Sequence, residues 1–130
     1  MHTNPQKFAQ IAFRQIDEIK DKDKSYRDKY GTMSHKLPLL IRTAGLAQAL
    51  AFVQAKKESA YGDLLNHLAE AIEWPDITSG DKLAEKSRGG HLDDYILLTR
   101  RVTAALIWYK RFSESILDVK NTDGTPEGDD

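Results

Sequence analysis

Along most of the chain, apolar residues recur at intervals of three and four, the period of a helix with one buried face. Phe8, Ile11, Ala12, Ile16 and Ile19 make the first such stripe, and Tyr26 and Tyr30 extend it. Asn4 offers a capping side chain and Pro5 suits a first helical position, so the spacing predicts one helix from Pro5 to about Lys29. Gly31 closes it, and a loop with Met33, Ser34 and His35 leads to Pro38. From Leu37 to Lys57 the pattern changes. Leu37, Leu40, Ile41, Ala44, Ala47 and Ala51 form one stripe, with Leu39, Leu46, Leu50 and Val53 beside it. A helix apolar over most of its circumference must be covered on several sides, so this stretch is expected at the centre of a bundle. Pro38 then falls in its first turn, where the missing N–H costs nothing. Gly45 costs about 1 kcal/mol there relative to Ala, which points to a neighbour approaching the backbone.

After a break at Glu58-Ser59, Tyr61, Leu64, Leu65, Leu68, Ala69 and Ile72 form a clean amphipathic stripe. Trp74-Pro75 stops that helix, because helical geometry is disfavoured before proline. Ser79-Gly80-Asp81 reads as a turn, followed by a short helix over Asp81–Lys86 that ends at Gly89-Gly90. Asp93 or Asp94 caps the last helix, whose apolar face runs through Leu92, Tyr95, Leu98, Val102, Ala105, Tyr109, Phe112 and Ile116. Asn121–Asp130 has no large apolar residue and is expected to be a disordered acidic tail. No segment alternates like a strand. The expectation is an all-α, single-domain helical bundle over residues 1–120, with four main helices and one short one, followed by the tail 121–130.

Composition narrows the function classes. A chain of 130 residues, 40% hydrophobic and 30% charged, supports one core and one domain. With no cysteine, disulfides, thiolate catalysis and cysteine zinc sites are excluded, in keeping with a cytoplasmic setting. The first residues lack a charged leader and apolar run, and Arg42 and Gln48 interrupt the longest apolar stretch, so neither signal peptide nor membrane span is expected. The formal net charge of −1 conceals a sorting of charge along the chain. Residues 31–57 carry four basic groups and no acid, whereas residues 58–85 carry seven acids and one basic group.

Catalytic chemistry finds no foothold. His2, His35, His67 and His91 are scattered and lack metal-ligand spacing, so no metal and no cofactor is expected. His67 falls on the polar side of its helix and reads as solvated. Asp93-Asp94 could be written as a nuclease metal site, but adjacent carboxylates at a helix start suit the helix dipole. The basic residues are more informative. Arg100 and Arg111 are eleven residues apart, three helical turns, and so share one line on the last helix, with Arg101 and Lys110 beside it. Lys36, Arg42, Lys56 and Lys57 form a second set without acidic neighbours in sequence. These eight are the candidate RNA-binding residues, because cations of this kind suit sequence-independent phosphate contact. Ordinary solvated surface, with long stems covering apolar neighbours, accounts for them equally well.

Two groups of residues carry a family resemblance. Tyr30, Leu37-Pro38, Ile41, Gly45-Leu46, Leu50-Ala51-Phe52 and Lys56 make the first. Tyr95, Thr99, Ala104-Ala105, Trp108 and Lys110-Arg111-Phe112 make the second. Together they resemble the small helical subunit of type III-B CRISPR effector complexes, the Cmr complexes, over roughly Tyr26–Leu117. The resemblance implies a non-catalytic subunit of an RNA-targeting defence complex. It would stack with copies of itself into a short filament beside the backbone subunits and line the path of guide and target RNA. The other readings are a helical adaptor that binds only protein and, behind it, a metal-dependent nuclease using Asp93 and Asp94.

Overall fold

The computed structural model describes residues 5–121, and these form six α-helices in chain order. Helix α1 spans Pro5–Ile19, α2 Lys24–Ala44, α3 Leu46–Ala55, α4 Ser59–Ile72, α5 Gly80–Arg88 and α6 Leu92–Ser115. The capping role expected of Asn4 and the tail beyond Asn121 fall outside the described residues.

The first helical boundary lies ten residues earlier than the pattern suggests. Helix α1 ends at Ile19, and α2 begins at Lys24 because the Asp23 carboxylate accepts from the Tyr26 amide at 2.8 Å. Gly31, expected to end a helix, lies within α2. It is buried against Val119, and a Cβ there would come within 2.5 Å of the valine Cβ. The segment expected as a loop, Met33 to Pro38, is helical as well. Pro38 lies inside α2 instead of at its start, leaving the Ser34 carbonyl without its i+4 donor. The helix persists because Tyr30, Met33, Leu37 and Ile41 keep an unbroken buried stripe across the proline.

The long central helix expected over Leu37–Lys57 is two helices. Gly45 has φ +88°, outside helical geometry, and separates α2 from α3. The close neighbour is Tyr95, whose hydroxyl oxygen would be 3.1 Å from a Cβ at Gly45. That oxygen accepts from the amides of Leu46, at 2.9 Å, and Ala47, at 3.4 Å. A side chain of α6 thus satisfies the first donors of α3, a helix whose own N-cap has no side chain. The division at Gly45, the early end of α1 and the helical Met33–Pro38 segment turn the expected four main helices and one short one into six.

The remaining elements follow their patterns. The α4 stripe is buried except for the half-buried Tyr61, and Glu73 in left-handed geometry, φ 52°, ends the helix before Trp74-Pro75. Helix α5 forms where a short helix is expected, with the Ser79 hydroxyl accepting from the Lys82 amide at 3.2 Å. Helix α6 packs on α1, α2 and α4, while α5 covers α3 and α4. Within α6 the interior takes Leu98, Val102, Ala105, Leu106 and Tyr109. Leu92 departs from the expected stripe and stands 70% exposed at the helix start. Its capping position is His91, without a side-chain bond, and Asp93 and Asp94 lie in the first turn instead.

Candidate nucleic-acid and partner interface

The polar interior is built from residues with structural tasks. Gln15 of α1 is buried, accepts from the Tyr109 hydroxyl of α6, and donates to the Glu70 carboxylate of α4 at 2.9 Å. Arg14 donates to the same carboxylate at 2.6 Å. His67, expected to be solvated, is half-buried, and its Nδ1 is hydrogen-bonded to the Tyr30 hydroxyl at 2.7 Å. Burial pulls its pKa below the usual histidine value, against the opposing pull of Asp63, Glu70 and Glu18. Burial likewise raises the Tyr30 and Tyr109 hydroxyls well above the ordinary tyrosine range, so both stay protonated. His35 is buried too, donating from Nε2 to the Val119 carbonyl at 2.8 Å and fastening the segment after α6 to α2.

Among the described residues, no group of three or more histidine or carboxylate side chains is placed to hold a metal ion. Asp93 is exposed and Asp94 half-buried at the start of α6. No described helix is long and apolar enough to cross a membrane. A groove of about 510 Å³ runs between α3, α4 and α5 past Gln54, Lys57, Gly62, Asn66, Gly80 and Asp81.

The eight basic candidates separate once placed. Arg100 and Arg111 are both exposed on α6, as their spacing requires, and Lys110 is half-buried next to Arg111. The Arg111 guanidinium lies 4.9 Å from the Trp108 ring centre, which holds it against the helix surface. Arg42 is exposed in the last turn of α2, and Lys56 is exposed at the end of α3 with its ammonium 4.7 Å from the Phe52 ring centre. Lys36 is half-buried on α2. Lys57 shares the α3–α5 groove with Asp81, so a set without acids in sequence has one beside it in space. Among the described residues, Arg42, Lys56, Lys57, Arg100, Lys110 and Arg111 make no ion pair, whereas Lys29, by contrast, is held by Glu58 at 2.9 Å.

Arg101 leaves the exposed set. Only 4% of it is accessible, its guanidinium lies 4.9 Å from the Trp74 ring centre, and Nη1 points at the Ile72 carbonyl 3.5 Å away. Its charge therefore sits at the C-terminus of α4, where the carbonyl ends attract a cation, and not where a phosphate could reach it. The pattern placed Arg101 one residue from Arg100, a turn of about 100° that on this helix separates surface from core.

An apolar surface missed by the sequence reading accompanies the arginines. Ile96, Leu97 and Ile107 on α6 are 42%, 39% and 46% exposed. Phe13 of α1, 49% exposed, meets Phe112 edge-on at 5.6 Å, and Phe112 lies 6.0 Å from Trp108. Exposed aromatics and isoleucines interleaved with arginine are the composition of binding surfaces.

The fold defines the class, a small all-helical bundle that among the described residues exposes cations without ion pairs beside apolar side chains. Comparison with known proteins gives the particular family. The family model described as CRISPR-associated protein (Cas_Cmr5) matches residues 4–116, so the chain belongs to that family. It is 39% identical over 118 residues to the CRISPR system Cmr subunit Cmr5 of Thermus thermophilus, covering 91% of this chain and 99% of that one. The crystal structure of a CRISPR-associated Cmr5 family protein from the same organism superposes with a TM-score of 0.79 at 38% identity. That match covers 88% of this chain and 98% of the other. The resemblance read from Tyr30, Gly45, Tyr95 and the Lys110-Arg111-Phe112 run therefore holds, and with it the all-helical fold.

Proposed function

We propose that this chain is a non-catalytic subunit of a type III-B, Cmr, RNA-guided effector complex, where its surface cations contact the backbone of guide or target RNA. Membership of the Cmr5 family and the similarity to a relative named as a Cmr subunit support the assembly. The observation that carries the RNA contact is the pair Arg100 and Arg111, exposed on one line of α6 and free of carboxylate partners among the described residues. Unpaired cations on a rigid helix contact phosphates without reading bases, which suits a complex whose sequence choice is made by guide–target pairing. Arg42 on α2 and Lys56 on α3 are further exposed cations available for such contact. In this reading the subunit works in the cytoplasm, stacks with copies of itself and lies beside the backbone subunit. The acidic exposed residues of α4 and α5 offer a surface to a basic face of the next copy.

The reading is tested by RNA affinity of the assembled complex across a salt series. Each phosphate neutralised on a single strand contributes a slope of about −0.7 in log K against log salt. Replacing Arg100 and Arg111 together with alanine should flatten the slope by about 1–1.5 and weaken unrelated RNA sequences alike. An unchanged slope with intact assembly would remove α6 from the RNA path. The apolar residues between the two arginines favour a second reading, a protein-only adaptor. Loss of assembly by the folded double variant would select it.

A further inference from the structure

The solvent face of α6 has an internal symmetry that RNA contact does not explain. Asp93 and Arg111 are eighteen residues apart, about five whole turns, so both stand on the same flank of the helix. Ile96 and Ile107 are eleven apart, about three turns, and share the middle of the face, with Arg100 and Thr103 between them. All six are exposed, and all three pairs have a common midpoint near residue 102. A face built this way is complementary to itself when reversed.

We propose that free copies of this chain pair through α6, antiparallel, about a two-fold axis near residue 102. Such an axis keeps each flank on its own side while reversing the helix. Ile96 of one copy then covers Ile107 of the other, twice over, removing from water two side chains that each copy leaves 42% and 46% exposed. On the flank, Asp93 meets Arg111 of the opposite copy, again twice. Arg111 is already set against Trp108 and so needs little ordering to make that pair. At the crossing, Thr103 is small enough to let the helices approach.

The acidic surface of the chain fits this face less well. Between Ser59 and Arg88, the acidic α4–α5 surface exposes no large hydrophobic residue, so it could pair with the arginines but would leave Ile96 and Ile107 against charged groups. The contact is isologous and closes at two copies, whereas a filament needs a heterologous one. The pair is thus a state of the free subunit that hides Arg100 and Arg111, and RNA or the rest of the complex must displace it.

Sedimentation equilibrium of the full chain, without RNA, from about 10 µM to about 1 mM tests this, because a single-helix contact lies at the small end of specific interfaces. A reversible monomer–dimer equilibrium is expected. Asp93→Arg should weaken it by at least about tenfold, since like charges then meet at both ends. Combining Asp93→Arg with Arg111→Asp should restore it to within about threefold, because the pair is re-formed with its signs exchanged. Ile107→Ser should weaken it without lowering Tm, as the side chain is already half in water. A monomer throughout the range, or a dimer indifferent to these changes, would overturn the proposal, as would a double variant no better than the single reversal. Its failure leaves the RNA reading untouched, because no RNA enters the measurement.

Discussion

His67 shows how one residue ties the interior together. Its Nδ1 is hydrogen-bonded to the Tyr30 hydroxyl, and burial lowers its pKa from 6.5. A histidine whose folded pKa lies below its unfolded one contributes stability that is fully present above about pH 6.5. That contribution is lost as pH falls from there through the folded value, because the unfolded chain binds the proton more readily. Urea unfolding at pH 7.5 and at pH 5.5 should therefore show a marked acid loss in the wild type. His67→Gln keeps a hydrogen-bonding side chain but cannot titrate, and its stability should change less over the same range. Equal losses in both proteins would mean that other groups dominate acid unfolding.

Tyr95 acts at the scale of elements. Its hydroxyl accepts from the Leu46 and Ala47 amides and so caps α3 from another helix, at the point where Gly45 breaks the chain. Tyr95→Phe keeps the ring and leaves those two donors unmade. The expected cost is about 1–2 kcal/mol of global stability, the range for a lost helix cap or buried hydrogen bond. Hydrogen exchange should locate the loosening in the first turn of α3. A uniform loss of protection across the chain, or none at all, would show that the hydroxyl is not the cap. The periodicity of α3 placed Leu46, Leu50 and Val53 in the core correctly. It was silent about the cap, because a cap supplied from 49 residues away leaves no local signal.

For the whole molecule, the decisive contact after α6 is the return of the chain onto α2. Leu117 and Val119 are buried, and Val119 fills the space left by Gly31 and accepts from His35. Truncation should discriminate sharply here. Removing residues 121–130, whose composition cannot bury enough apolar surface to offset ordering entropy, should leave Tm and complex assembly unchanged. Removing residues 117–130 should lower Tm by several degrees, since it exposes Gly31 and strips His35 of its partner. Equal melting of the two truncated chains would show that the return segment adds nothing to the core. Loss of assembly on removing 121–130 alone would make those residues a partner contact.

Periodicity alone determined the all-helical class, the α4 stripe, the short α5, and the shared line of Arg100 and Arg111 on α6. Each depends on residues a few positions apart, where helical geometry leaves little freedom. Local signals were misleading at Gly31 and Pro38, and periodicity was misleading at Gly45, where one helix was expected over Leu37–Lys57. Glycine and proline usually end helices, but Gly31 is needed for the close approach of Val119, and α2 runs through Pro38 because its buried stripe continues. Only Gly45 is a true break, and Tyr95, far away in sequence, completes the local bonding there. Tertiary structure also separated Arg100 from Arg101, and turned His67 from a surface residue into part of the interior. Burial and partnership across elements depend on how the helices dock, and no window along the chain contains that information.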